Sequence, residues 1–159
     1  MGMNVQNYDN HPLIGAHQSI AGGIHTAFDR AQNAGCATLQ VFVKNNNQWK
    51  GKPLTAEDVS NYKTAASKSN IAPVIAHSCY LINLCSTDPS TLRKSRETFL
   101  DELTRCEALG IPYFNFHPGA HLGAGEEEGI KKIVESLDWI HDQTKGFTTL
   151  SVLETTAGQ

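Results

Sequence analysis

Between Leu13 and Glu154 the chain alternates short apolar runs with helical patterns, strand then helix, four times over, and closes on a fifth strand. No other feature constrains the fold as much. Strands separated by helices pair in parallel, through right-handed crossovers. The predicted strands are Leu13–His17, Leu39–Val43, Pro73–His77, Tyr113–His117 and Thr148–Glu154. The predicted helices are Ile24–Ala34, Thr55–Lys68, Pro89–Leu109 and Glu126–Thr144. Gly35, Gly110 and Gly146 stand where helices stop. Thr55 with Asp58 three residues on resembles a capping box. Ile130, Ile133, Val134, Leu137 and Ile140 form the clearest helical stripe. The pattern fits an open doubly wound sheet or part of a (β/α)8 barrel, and periodicity does not choose between them. Residues 1–12 read as a flexible tail and the rest as one α/β domain.

Composition excludes several classes. Hydrophobic residues make up 40% and charged residues 18% of the 159, as in a soluble globular domain. No apolar run approaches the ~18 residues that span a bilayer, so no membrane partner is expected. A net charge of −3 is not the basic balance of a protein held to nucleic acid by charge alone, although it allows a local basic loop. The four cysteines lack CxxC spacing and read as reduced thiols of a cytoplasmic protein. No GxGxxG follows the first strand and no GxxxxGK[ST] is present, so phosphate-cradling nucleotide loops have no support.

The chemistry-bearing residues share a position. His17, His77, His117 and Glu154 close the predicted strands one, three, four and five. In a barrel those carboxyl ends share the face that carries the active site. Three imidazoles and a carboxylate converging there form a zinc-like ligand set. After strand two, the stretch from Lys44 to Lys52 holds three lysines, several amides, Trp49 and no acid. Such a loop suits phosphate contacts and minor-groove insertion, or else is a solvated loop with Trp49 tucked into the barrel wall.

These residues carry a resemblance. Gly15-Ala16-His17 with Ala21-Gly22-Gly23, and Phe42-Val43-Lys44-Asn45 running to Gln48-Trp49, resemble the first two motifs of the endonuclease IV family of apurinic/apyrimidinic endonucleases. His77-Ser78-Cys79-Tyr80-Leu81-Ile82-Asn83-Leu84 resembles its third-strand signature. Asn115-Phe116-His117-Pro118-Gly119 and the segment from Leu153 to Gln159 resemble the fourth and fifth.

The resemblance implies a TIM barrel with a trinuclear zinc site, of which residues 13–159 are the N-terminal part. His77 and His117 would bind one zinc, and Glu154 would bridge it to a second and act as a catalytic residue. His17 becomes a supporting residue rather than a ligand. Tyr80 matches the tyrosine beside the abasic pocket, and Lys44, Asn47 and Trp49 fall in the DNA-contacting loop. Asn47 stands where many members carry arginine, and Thr155 where many carry asparagine. The implied reaction is hydrolysis of the phosphodiester 5′ to an abasic site in duplex DNA, the incision step of base excision repair.

A (β/α)8 barrel takes at least ~200 residues. Five strands and four helices are therefore expected to form an incomplete barrel. They would hold at most one well-formed zinc site, be inactive alone and need a missing C-terminal half. Two alternatives stay open: a sugar isomerase or epimerase of the same barrel superfamily, and a non-catalytic fragment that binds zinc or DNA.

Overall fold

The structure is a computed structural model and describes residues 12–156; the expected tail, residues 1–12, lies outside it except for Pro12. The elements run β1 (Gly15–His17), α1 (Thr26–Asn33), β2 (Thr38–Phe42), α2 (Ala56–Lys68), β3 (Val74–His77), α3 (Pro89–Leu109), β4 (Tyr113–Phe116), α4 (Glu126–Gln143) and β5 (Leu150–Leu153). All neighbouring strands pair in parallel, in the order β1-β2-β3-β4-β5. A doubly wound sheet reverses its strand order part-way. Here each strand is added beside its predecessor without reversal, so the sheet is a curved segment of a (β/α)8 wall.

Burial agrees with that topology. Leu39, Val41, Ala76, Phe114 and Phe116 are at most 1% exposed. They join Phe28, Phe99, Leu103 and Ile140 in one core between sheet and helices. The alternate residues Gln40, Phe42, Ile75 and Asn115 are only part-buried, and Tyr113, Leu150 and Val152 are exposed. This period of two separates a helix-covered face from an open concave face.

Local signals explain most boundaries. The capping box at α2 forms in full: the Asp58 amide donates to Thr55 Oγ1 at 3.1 Å, and the Thr55 amide donates to Asp58 Oδ2 at 3.0 Å. Asp88 caps α3 by accepting from the Thr91 amide at 2.7 Å, with Pro89 in the first turn. Gly110 ends α3 at φ 79°, a left-handed turn that favours glycine.

Three elements are shorter than expected by two residues or more. In α1, Thr26 bonds back to the Gly23 carbonyl through both its amide and its hydroxyl, which holds residues 24 and 25 in a turn. In β5, the Thr148 and Thr149 amides bond Glu107 Oε2 at 2.9 Å each instead of joining the ladder. β1 is an edge strand of three residues. The stripe on α4 is only partly used: Ile140 is buried, whereas Ile130 and Val134 are exposed because no described residue packs on that side.

All four cysteines are free thiols, with Cys79, Cys85 and Cys106 buried. Among the described residues, no helix is long and apolar enough to cross a membrane.

Candidate metal centre

Three of the four strand-end residues singled out in the sequence meet on the open face. His77 closes β3, His117 directly follows β4 and Glu154 directly follows β5. Backbone pairing continues through these positions, since the Ser78 amide donates to the Asn115 carbonyl at 2.8 Å and the Glu154 amide to the Phe116 carbonyl at 2.9 Å. The side chains therefore project from an ordered rim. Glu154 Oε2 lies 3.4 Å from His77 Nε2 and 3.4 Å from His117 Nε2. One donor atom from each residue falls within 4.8 Å of the others. The two imidazole rings meet edge to face with centroids 5.1 Å apart.

This donor set can hold a metal ion, and two of its spacings suit zinc. Bonds of ~2.0–2.1 Å at the tetrahedral angle place neighbouring ligand atoms ~3.3–3.4 Å apart, the spacing that Glu154 Oε2 keeps to both rings. The tautomer of His77 fits as well. Its Nδ1 is 2.8 Å from the Ser78 carbonyl, which only accepts, so Nδ1 carries the proton and Nε2 presents its lone pair to the cluster. The hydrogen bond from the Asn115 amide holds the Glu154 carboxyl below the usual carboxylate range, in the ionised form that a metal requires.

His17 is not in this cluster. Its Nδ1 bonds Gln40 Oε1 at 3.1 Å, and its ring lies 4.3 Å from that of Phe42. Phe42 connects it to the centre, with ring centroids 5.8 Å from His77 and 5.4 Å from Tyr80. The Tyr80 ring is exposed. It borders a cavity of about 330 Å³ lined also by His77, Asn83, His117, Gly119 and Ala120. Gly119 has φ 112°, and a Cβ there would run into the Asn83 side chain. Only glycine lets the loop after His117 pass so close to that side chain.

The loop after β2 divides. Asn47 is exposed and borders a cleft of about 560 Å³ shared with His17, Ile20 and Phe42. Trp49 turns the other way and is half-buried. Its carbonyl accepts from Thr98 Oγ1 at 3.3 Å, and it lines a cleft of about 590 Å³ with Pro53, Lys94, Glu97 and Arg105. This cleft lies on the helical exterior and shares no residue with the metal centre.

Lys44 corrects a sequence expectation. Its side chain is 3% exposed and cannot offer its charge to a surface phosphate. It pairs with Glu102 Oε1 at 2.8 Å, and that carboxylate is 1% exposed. Lys44 Nζ also donates to the Gln48 carbonyl at 2.5 Å. Glu102 Oε2 accepts from the Cys79 amide at 3.0 Å. Burial pushes the Glu102 carboxyl up, and Lys44 opposes the shift.

Sequence reasoning gave no role to Asn115, Gln40 or Glu102. Asn115 and Gln40 each sit two residues from a named or ring-contacting residue on the same strand face. Glu102 is a charged residue on the apolar face of α3, between Phe99 and Cys106. Both signals can be read from periodicity.

Comparisons with known proteins agree with the geometry. The family described as xylose isomerase-like TIM barrel matches residues 28–159. A probable endonuclease 4 from Citrifermentans bemidjiense is 44% identical over 92% of this chain and 52% of its own length. A second from Chloroflexus aggregans is 43% identical over 93% and 52%. The crystal structure of endonuclease IV from Thermus thermophilus superposes with a TM-score of 0.78 at 27% identity, over 93% of this chain and 53% of that one. A 3-keto-D-glucoside 4-epimerase from E. coli, at 12% identity and a TM-score of 0.63 over 89% of this chain and 55% of its own, shares the fold alone. The chain spans about half the length of the curated relatives it matches.

Proposed function

This chain belongs to the xylose isomerase-like TIM-barrel family, and from that premise we propose that it is the N-terminal half of an endonuclease IV-type repair enzyme. The reaction is hydrolysis of the phosphodiester 5′ to an abasic site in duplex DNA, in the cytoplasm, as part of base excision repair. The observation that carries this reading is the His77–Glu154–His117 cluster, with both imidazole Nε2 atoms 3.4 Å from one carboxylate oxygen. The relatives at 43–44% identity supply the direction toward a nuclease rather than a sugar epimerase.

His77, His117 and Glu154 would hold the zinc, which would supply Lewis acidity toward a phosphate oxygen and a water acidified to a pKa of about 7. The residues of this chain do the positioning. His77 presents a lone pair fixed by its Nδ1 bond to the Ser78 carbonyl. Glu154 turns Oε2 toward both rings. Tyr80 and Phe42 give an aromatic wall beside the cavity next to His117, a surface suited to an extruded sugar. Extruding an abasic nucleotide is less costly than extruding a paired base. Asn47, exposed at the mouth, offers an amide to the DNA backbone.

This half supplies one cluster of three donors, and alone it binds one zinc without incising DNA. The test combines zinc stoichiometry with incision of a duplex carrying a single abasic site, for the 159-residue chain alone and supplemented with a separately produced C-terminal half of a related endonuclease 4. Zinc binding by the chain, with 5′ incision only in the supplemented reaction, is expected. Ketose epimerisation, without affinity for abasic duplex, contradicts it.

A further inference from the structure

Asn115 stands on β4, beside His77 in the β3–β4 register and beside Val152 in the β4–β5 register. It faces the open concave side, two residues before His117, and is half-buried. Its side-chain amide donates from Nδ2 to Glu154 Oε2. The orientation follows from chemistry: a carboxylate only accepts, so the NH₂ end must face it. The oxygen engaged is the one that lies 3.4 Å from both imidazole Nε2 atoms. The backbone of the same residue acts on the other side. The Asn115 carbonyl accepts from the Ser78 amide at 2.8 Å, and the Ser78 carbonyl holds His77 Nδ1 at 2.8 Å.

We infer that Asn115 is a positioning residue of the metal centre: its amide fixes which oxygen of Glu154 faces His77 and His117, while its backbone carbonyl anchors the amide of Ser78, the residue whose carbonyl holds His77 Nδ1. This inference rests on the reading of His77, His117 and Glu154 as metal ligands. A merely structural role does not account for the contact. Glu154 is exposed and gains nothing from burial, and a half-buried residue on an open face can satisfy its amide with water. Without the amide, the carboxylate rotates freely and must be ordered by the metal at the moment of binding. Outer-shell partners of this kind typically change metal affinity 10–100-fold.

The test measures zinc affinity of the full chain by competition with a chromophoric chelator, for the parent, Asn115→Ala, Asn115→Ser, Glu154→Ala and the double variant Asn115→Ala/Glu154→Ala. Far-ultraviolet circular dichroism confirms the fold of each. The serine hydroxyl is too short to reach Glu154, and the site is open, so this variant keeps the test alive if alanine fails to fold. Asn115→Ala and Asn115→Ser are expected to bind zinc 10–100-fold more weakly than the parent, and the double variant no more weakly than Glu154→Ala. Affinity within twofold of the parent, or losses that add in the double variant, would overturn the inference. A parent that binds no zinc overturns instead the metal-centre reading on which it rests. Gln40→Ala, which removes a partner of His17 outside the cluster, is expected to leave zinc affinity unchanged.

Discussion

Lys44 Nζ and Glu102 Oε1 meet at 2.8 Å inside the protein, with side chains 3% and 1% exposed. The pair ties the start of the β2–α2 loop to α3, and through the Cys79 amide it reaches the loop that carries Tyr80. Glu102→Ala leaves a buried ammonium without its counter-charge, which costs about 3–5 kcal/mol. Lys44→Met/Glu102→Leu removes both charges and recovers most of that loss. Urea denaturation of the two variants checks this; equal destabilisation by both contradicts the account.

The two ends of the β2–α2 loop are expected to respond differently. Trp49 packs against α3, so Trp49→Ala costs about 0.8–1.5 kcal/mol of stability, half the value of a fully buried large side chain. Asn47 is exposed, so Asn47→Ala stays within about 0.5 kcal/mol of the parent and instead weakens binding to abasic duplex. Paired denaturation and fluorescence-anisotropy measurements separate the two effects.

Tyr80 is 66% exposed although it stands in the ring cluster with Phe42 and His77. Its truncation to alanine leaves stability within about 0.5 kcal/mol. Affinity for abasic duplex falls by about 1 kcal/mol, the scale of a lost apolar contact with an extruded sugar. Undamaged duplex should show a much smaller change.

The N-cap of α3 gives a pH signature. Hydrogen bonds from Ser90 and Thr91 hold the Asp88 carboxyl down at about 2, against 3.8 for the free group. A depressed carboxyl stabilises the fold at pH values above the unfolded value, and this contribution is lost as pH falls through the folded value. Asp88→Ala should therefore lower the Tm by about 2–4 °C at neutral pH. The gap to the parent should close between about pH 4 and pH 2. Scanning calorimetry across that range tests both parts.

Much of the fold was legible because local and global signals coincide. The Thr55–Asp58 capping box, Pro89 after Asp88 and Gly110 after Leu109 each put a helix boundary within a residue or so of its place. The choice between doubly wound sheet and barrel was not legible, because strand order is a long-range property that periodicity does not encode. Nor was the shortening of β5, which depends on Glu107 reaching across from α3 to the Thr148 and Thr149 amides. In the site, the shared place at strand ends singled out His17 along with His77, His117 and Glu154, and only the family resemblance set His17 apart from the ligands. The burial of Lys44 was not legible, because in sequence it looks like the other lysines of a solvated loop. Only its partner, far along the chain on α3, sets it apart.

The central claim is that the ends of β3, β4 and β5 build a zinc site, and zinc stoichiometry of the purified 159-residue chain tests it most directly. The expected result by mass spectrometry under native conditions is one zinc per chain, abolished by His117→Ala and by Glu154→Ala and unaffected by His17→Ala. A parent chain that takes up no zinc, or one whose zinc survives His117→Ala, would contradict it.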